Sequence, residues 1–316
     1  MNVKPVKEGS PTWRRLVGAG WLAVAMLATP PHDAAARTHA KPAAPAGDLG
    51  RFEVVRVVVN PFLNSAQRQY YNDDPRYVGR IFEIAPAKLA MDDGSICTRP
   101  KRTGIRTTVP ALLRKELEVY GPIKRPVRPL SADPDLTRAP RGTLTAVRYA
   151  CASSTSSEAD QTGRNWTGAV GFPLATPRRG LVWTYEVVLI LAPAAAGQPI
   201  RASFPCAKAR SASKKALCSD ASLAGWDRSV AAAFRLLRDG GGPDDIAPED
   251  DTPALVASQQ AWVRSRDRCG ADRQCLLDRM AERTDALMRR QFTIGEASGL
   301  PRADVPPVSR TATQGL

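Results

Sequence analysis

The chain has 316 residues, with 45 Lys and Arg against 31 Asp and Glu, a formal net charge of +14 and six cysteines. Its two histidines, His32 and His39, both lie near the start. The remaining body therefore lacks the commonest general base and the commonest metal ligand, which excludes Ser-His-Asp and Cys-His catalysis and any His-containing zinc site.

Lys4, Lys7, Arg14 and Arg15 give a basic start, Leu16–Ala28 is an apolar run, and Ala34-Ala35-Ala36 reads as a small-residue cleavage site. This is the pattern of a secretory signal peptide over residues 1–36. The apolar run is too short to span a bilayer comfortably. The next apolar stretch, Leu181–Ala192, contains Glu186 and reads as a strand or hairpin, so no transmembrane span is expected in the mature chain. No cysteine lies near the cleavage region, so no lipid anchor is expected either. A periplasmic or secreted location follows. Residues 37–49, rich in Ala and Pro, predict a flexible linker.

From Arg51 the texture changes. Phe52–Val59 is dense in β-branched residues and stops at Asn60-Pro61, which predicts a strand and a break. Asp74-Pro75 marks a turn before a second strand at Tyr77–Ile84. Asp92-Asp93-Gly94, between Leu89 and Ile96, predicts a hairpin. Leu112, Leu113, Leu117 and Val119 favour a helix over Val109–Tyr120, followed by a long Pro- and Arg-rich loop over 121–142. Leu144–Cys151 reads as a strand, Ala152–Asn165 as a polar loop, and Ala169–Leu174 and Leu181–Leu191 as further strands. The result is a mainly antiparallel β domain over 50–195, a small barrel or a sandwich. Cys97 and Cys151 are its only cysteines, so they are expected to staple two strands or loops.

Beyond the connector Ala192–Ala202 the apolar period becomes helical. Asp220 can cap a helix whose Leu223, Trp226, Val230, Phe234 and Leu237 share a face, with Gly240-Gly241-Gly242 as its stop. An acidic loop, Asp244–Asp251, follows. Pro253 stands near the start of a helix carrying Leu255, Trp262 and Val263. Asp272 can cap a last helix with Leu276, Leu277, Met280, Leu287 and Met288. Residues 292–316 lack pattern and are expected to be disordered. The fold class is thus α+β: the β domain, then a helical domain over 200–291.

An even cysteine count in an exported chain argues for disulfides over a redox or metal role. In CGADRQC, Gly270 permits the left-handed backbone of a helix end, and Cys269 and Cys275 flank a tight helix-to-helix turn. Cys206 and Cys218 flank a turn and a short helix. Local pairing, Cys206 with Cys218 and Cys269 with Cys275, is the expectation, although spacing alone leaves the other connectivities of four cysteines open.

Cys206, Cys218, Ser219-Asp220, Leu223 and Asp227, followed by Gln259, Trp262, Arg266-Asp267, Cys269, Cys275-Leu276, Arg283 and Leu287, resemble the LprI-type lysozyme inhibitors. The resemblance spans about Phe204–Arg290, and one departure is Phe234, where members often carry Tyr. It implies an exported, disulfide-bonded helical domain, with lysozyme or another wall-degrading enzyme as partner.

Several residues admit two roles. Arg266, with Asp267, either reaches into a carboxylate-lined cleft of a target glycosidase or pairs within the domain, for instance with Asp227; the second is favoured. Trp226 and Trp262 read as core residues rather than sugar platforms. Trp262, Arg266, Asp267 and Asp227 remain the candidate binding residues. Ser211-Ala212-Ser213-Lys214 matches the S-x-x-K motif of penicillin-recognising enzymes, but with no accompanying K-T-G it reads as a helix cap followed by solvated lysines. Asp244-Asp245 and Asp250-Asp251 read as loop solvation.

Residues 37–200 hold 23 basic against 14 acidic residues, whereas residues 201–290 hold 16 against 13. Arg99, Lys101, Arg102, Arg106, Arg114, Lys115, Lys124, Arg125 and Arg128 form a basic run suited to an anionic polymer. Tyr120 is its only aromatic, so nucleic acid is not the expected partner. The leading function is an exported binding protein acting by steric occlusion, not an enzyme, with no cofactor or metal. The alternative is an envelope module whose basic β domain binds anionic wall or outer-membrane polymers. Lysozymes of the animal type are strongly basic, so a basic inhibitor needs local acidic groups at the contact.

Overall fold

The computed structural model describes residues 49–63, 69–118, 136, 140–155, 168–175, 177–184, 186–194, 197, 199–240 and 252–297. The expected signal peptide, most of the linker and the acidic loop lie outside them, as does the expected disordered tail except 292–297, which continue the last helix instead. Ten β-segments come first: β1 Gly50–Val59, β2 Ile81–Ile84, β3 Lys88–Met91, β4 Ile96–Thr98, β5 Lys101–Thr107, β6 Leu144–Ala150, β7 Ser153–Thr155, β8 Val170–Pro173, β9 Arg179–Thr184 and β10 Val187–Pro193.

Every pairing is antiparallel, in the order β5-β6-β8-β9-β10-β1-β2-β3-β4-β7. The two ends of this order are not separate edges. Ile96 pairs with Thr155, Thr98 with Ser153, Lys101 with Ala150 and Thr107 with Leu144, so all pair numbers share one sum and one register. β4 with β5, and β6 with β7, are two long strands bent together at residues 99–100 and 151–152. The meander therefore returns on itself as a partly open barrel, which decides between the two β architectures left open by the sequence. Cys97 and Cys151 are disulfide-bonded at the bend, where the ladder is interrupted.

The barrel interior is filled by side chains from strands all round: Phe52, Val54, Phe82, Leu89, Cys97, Tyr149, Trp183 and Leu189. β1 reaches it through a change of phase. Val54 faces Leu191 and Arg56 faces Ile190, leaving Val55 as the extra residue of a bulge. A bulge reverses the in–out alternation, so Phe52 and Val54 point inward before it and Val57 and Val59 after it. Val58 faces outward instead, where helix α1 (Val109–Leu117) packs Val109, Leu112, Leu113 and Leu117 over β8, β9 and β10. The strand run Val187–Leu191 is consequently buried on both faces, as its unbroken apolar sequence requires.

Three expectations change. The second strand begins at Ile81, because Tyr77–Gly79 form a turn whose amides bond Asp74 O and Val54 O. The expected polar loop after Cys151 contains β7. β5 was hidden in the basic run: KRTGIRT has a strand's geometry but neither β-branched density nor a fully buried face. Helix α1 ends at Leu117, and residues 119–120 lie outside the described residues.

After a 3-10 turn at Cys206–Lys208 come α2 (Ala212–Ser219), α3 (Ala221–Asp239), α4 (Thr252–Asp267) and α5 (Arg273–Ala297). The boundary chemistry follows the sequence. Ser211 accepts from Lys214 N, Asp220 from Leu223 N and Asp272 from Cys275 N, while Gly240 and Gly270 take positive φ at helix ends. Leu217, Leu223, Trp226, Val230, Leu237, Leu255, Leu276 and Met280 form the core between them. Disulfides join Cys206 to Cys218 and Cys269 to Cys275, the local pairing.

Barrel and helices meet along a narrow seam, within a single compact unit. Gly225 of α3 lies against the Gly79 carbonyl so closely that a Cβ there would stand 2.3 Å from the oxygen. Beside it, Arg80 is fully buried, with its guanidinium 3.4 Å from the centroid of the Trp226 ring and Nη2 donating to Ser229 Oγ at 2.8 Å. Arg228 bonds Glu53 of β1 at 2.6 Å across the same boundary.

A methyl at Gly225 has backbone, not a flexible side chain, in its way. Gly225→Ala is expected to destabilise the oxidised protein by about 1–3 kcal/mol, read as a lower urea midpoint. An unchanged midpoint for Gly225→Ala would mean that the seam is not tightly packed.

Candidate functional site

The helical unit is organised around one buried polar cluster. Arg266, near the end of α4, is 5% exposed, and its Nη1 lies 3.1 Å from Asp227 Oδ1, itself 4% exposed. Arg266 Nη2 also donates to Asp267 Oδ1 at 2.8 Å. Ser213 Oγ donates to that same oxygen at 3.0 Å, and Asp227 Oδ2 accepts from Ser203 N at 2.7 Å. These bonds tie α2, α3, α4 and the segment before Cys206 together. In this conformation the Arg266 guanidinium is enclosed and pairs with Asp227 within the domain. Serine 213 of the S-x-x-K match belongs to this cluster, and Lys214 lies 5.8 Å from the Phe204 ring.

Trp262 is half-buried rather than a full core residue. Two guanidinium groups lie near its ring, Arg266 at 5.3 Å and Arg283 at 6.0 Å, and its Nε1 donates to Arg279 O. Arg283 Nε donates to Gln259 Oε1 at 3.0 Å, but Nη2 is buried with no hydrogen-bond partner. Burial and the neighbouring Arg290 charge lower the basicity of Arg283. Trp226 is buried, as expected, but against Arg80 of the barrel rather than wholly within the helical core.

A second feature had no sequence signal. Between the β3–β4 turn and the helices α3 and α5 lies a cleft of about 290 Å³, with Asp92, Asp93, Trp226, Leu277, Asp278 and Arg273 among its walls. Asp92 Oδ1 stands 3.8 Å from Arg80 Nη1, yet neither Asp92 oxygen accepts a hydrogen bond within normal geometry. Burial raises the Asp92 pKa to about 6 from 3.8, outweighing the Arg80 charge and the neighbouring Ile81 and Ser222 groups that oppose the rise. Burial likewise lowers Arg80 to about 10. The pairing of a turn aspartate with an arginine twelve residues earlier becomes visible only once α3 is packed on both.

Strand alternation puts Lys101 on one face of β5 and Arg102 and Arg106 on the other. Arg99 is exposed in the bend before β5, and Arg114 and Lys115 are exposed on α1. Lys124, Arg125, Arg128 and the Asp244–Asp251 loop lie outside the described residues. No group of three or more His, Cys, Asp or Glu able to hold a metal ion occurs among the described residues, and no described helix is long and apolar enough to cross a membrane.

The geometry defines a disulfide-braced helical unit with an internal arginine–carboxylate lock. The family described as Lysozyme inhibitor LprI matches residues 206–287 of this chain. That interval begins at Cys206, ends at Leu287 and contains the whole Arg266 cluster except Ser203. No curated protein and no solved structure matches the chain.

Removing one member of a buried ion pair leaves the other uncompensated. Asp227→Ala is therefore expected to cost about 3–5 kcal/mol in urea unfolding, and the lock is not structural if the loss stays below that of an exposed Asp→Ala change. Asp92 gives a second expectation. Its pKa is higher folded than unfolded, so its stabilising contribution is full below about pH 4 and is lost as the pH rises through about 6. Asp92→Asn should flatten the stability profile between those values, and an identical profile for both proteins would contradict the shift.

Proposed function

We propose that the protein is an exported inhibitor of a lysozyme-type glycosidase, acting by covering part of the enzyme and carrying out no reaction of its own. The match of residues 206–287 to the lysozyme inhibitor family carries this reading. The three disulfides support an oxidising, extracytoplasmic location, in keeping with the signal peptide expected from the sequence.

The mode of action follows from the mechanics of the unit. Helices braced by two disulfides and locked by Arg266 have little freedom to lose on binding, so a modest contact area can hold a partner. Arg266 and Asp227 serve as scaffold in this reading. Contact falls to groups that keep solvent exposure around them, such as Trp262, Arg283 and the acidic cleft beside Trp226.

The test is lysis of a cell-wall suspension by an animal-type lysozyme, with the oxidised full-length protein added in micromolar excess. The lysis rate should fall until the two proteins are equimolar and then level off, as expected of tight occlusion without turnover. Prior reduction of the disulfides should remove the effect. Undiminished lysis in the presence of the oxidised protein would rule the reading out.

A further inference from the structure

We propose that the cleft beside Trp226 receives a basic side chain, lysine or arginine, from the surface of the partner protein; this rests on the inhibitory reading above. Its floor is apolar, built from Trp226, Leu277 and Met91, and its rim carries Asp93 and Asp278. A long basic side chain has the same division, an apolar stem and a charged end. The volume of about 290 Å³ suits one such side chain and is too small for an extended wall polymer.

The local charge points the same way. Arg273 on the rim is tied to Asp220 at 2.8 Å, and Arg80 behind the wall faces Asp92. Asp92, Asp93 and Asp278 line the cleft together with Arg273, itself tied to Asp220, in a chain whose overall charge is +14. Asp92 adds an independent indication. Its side chain is 7% exposed in the cleft wall, with both oxygens lacking a hydrogen bond. Arg80 supplies a positive charge 3.8 Å away, but a carboxylate so placed keeps an unsatisfied demand for hydrogen-bond donors. Asp93 is held by Ser95, whose amide donates to Oδ1 at 2.7 Å and whose hydroxyl donates to Oδ2 at 2.9 Å, so the rim is fixed in advance of binding.

This also answers the charge conflict between a basic inhibitor and a basic enzyme. Long-range repulsion slows their encounter, but contact itself is governed by the groups that meet. An acidic, preformed recess gives the partner's positive surface one place to seat.

The experiment has two arms, both with the oxidised full-length protein. In the first, affinity for an animal-type lysozyme is compared between the wild type, Asp278→Lys and Asp239→Lys. Asp278 is exposed on α5, and Asp239 is an equally exposed site at the far end of α3, about 20 Å along the helix from Trp226. Asp278→Lys should weaken binding on the order of tenfold, Asp278→Asn should weaken it less, and Asp239→Lys should match the wild type. In the second arm, agmatine is titrated while the Trp226 indole N–H resonance is followed, which should move in the wild type and stay still in Asp278→Lys.

Lysozyme binding that is equal in all variants would overturn the cleft and leave the inhibitory reading standing. Absence of lysozyme binding with a shift of the Trp226 signal would overturn the inhibitory reading and retain the cleft as a site for a basic side chain of another partner. Absence of both effects would overturn both.

Discussion

A fully buried arginine on the loop after β1 sets the terms on which the barrel and the helices coexist. Arg80 has no exposed surface, and its partners come from both sides: Asp92 from the barrel, and Trp226 and Ser229 from α3. A buried guanidinium is tolerable only while such groups surround it. Moving α3 away would take away the Trp226 face and the Ser229 hydroxyl together. The glycine pair is the steric half of the same constraint, since Arg80 reaches Ser229 only because Gly225 lets the helix backbone close on Gly79. The seam's ion pair is imperfect, at 3.8 Å and with unsatisfied oxygens. The balance there comes from packing and cation–π contact more than from a good salt bridge.

The helical unit solves a different problem. α4 buries only Leu255 and Arg266, so its apolar contribution to the core is small. It is held by the Arg266 cluster, by the contacts of the Trp262 ring with the Arg266 and Arg283 guanidinium groups and by the Cys269–Cys275 bridge to α5. Polar and covalent ties of this kind fix orientation more sharply than hydrophobic contact, which is non-directional. For a protein that works by presenting a surface, the angle between helices matters as much as their stability.

The parts of the fold governed by local chemistry were legible in the sequence. Asp220, Gly240, Gly270 and Asp272 occupy the helix ends that their side chains or backbones suit, and the hairpin at Asp92-Asp93-Gly94 forms where its turn residues stand. The pairing of Arg266 with Asp227 was also within reach, because an arginine folded into a helical core needs a carboxylate partner. What escaped were features set by long-range pairing. β5 is a strand because β6 offers it a complete ladder, despite a sequence poor in β-formers. The bulge at Val55 is invisible within a run of valines that are apolar in either phase. The Arg80 seam and the acidic cleft depend on residues of two units brought together, and no spacing within the chain announces them.

The barrel also begins and ends in one place. β1 and β10 are neighbours, Phe52 faces Pro193, and Ala194 N donates to Arg51 O at 2.9 Å. The polypeptide that continues into the helices therefore departs beside the point where the strands started. Tension on that departing segment would peel β10 away from β1 one rung at a time, beginning at Ala194, unless the helices are anchored elsewhere. The Arg228–Glu53 contact supplies such an anchor, since it returns load from α3 to β1 itself and lets the two neighbouring strands share it.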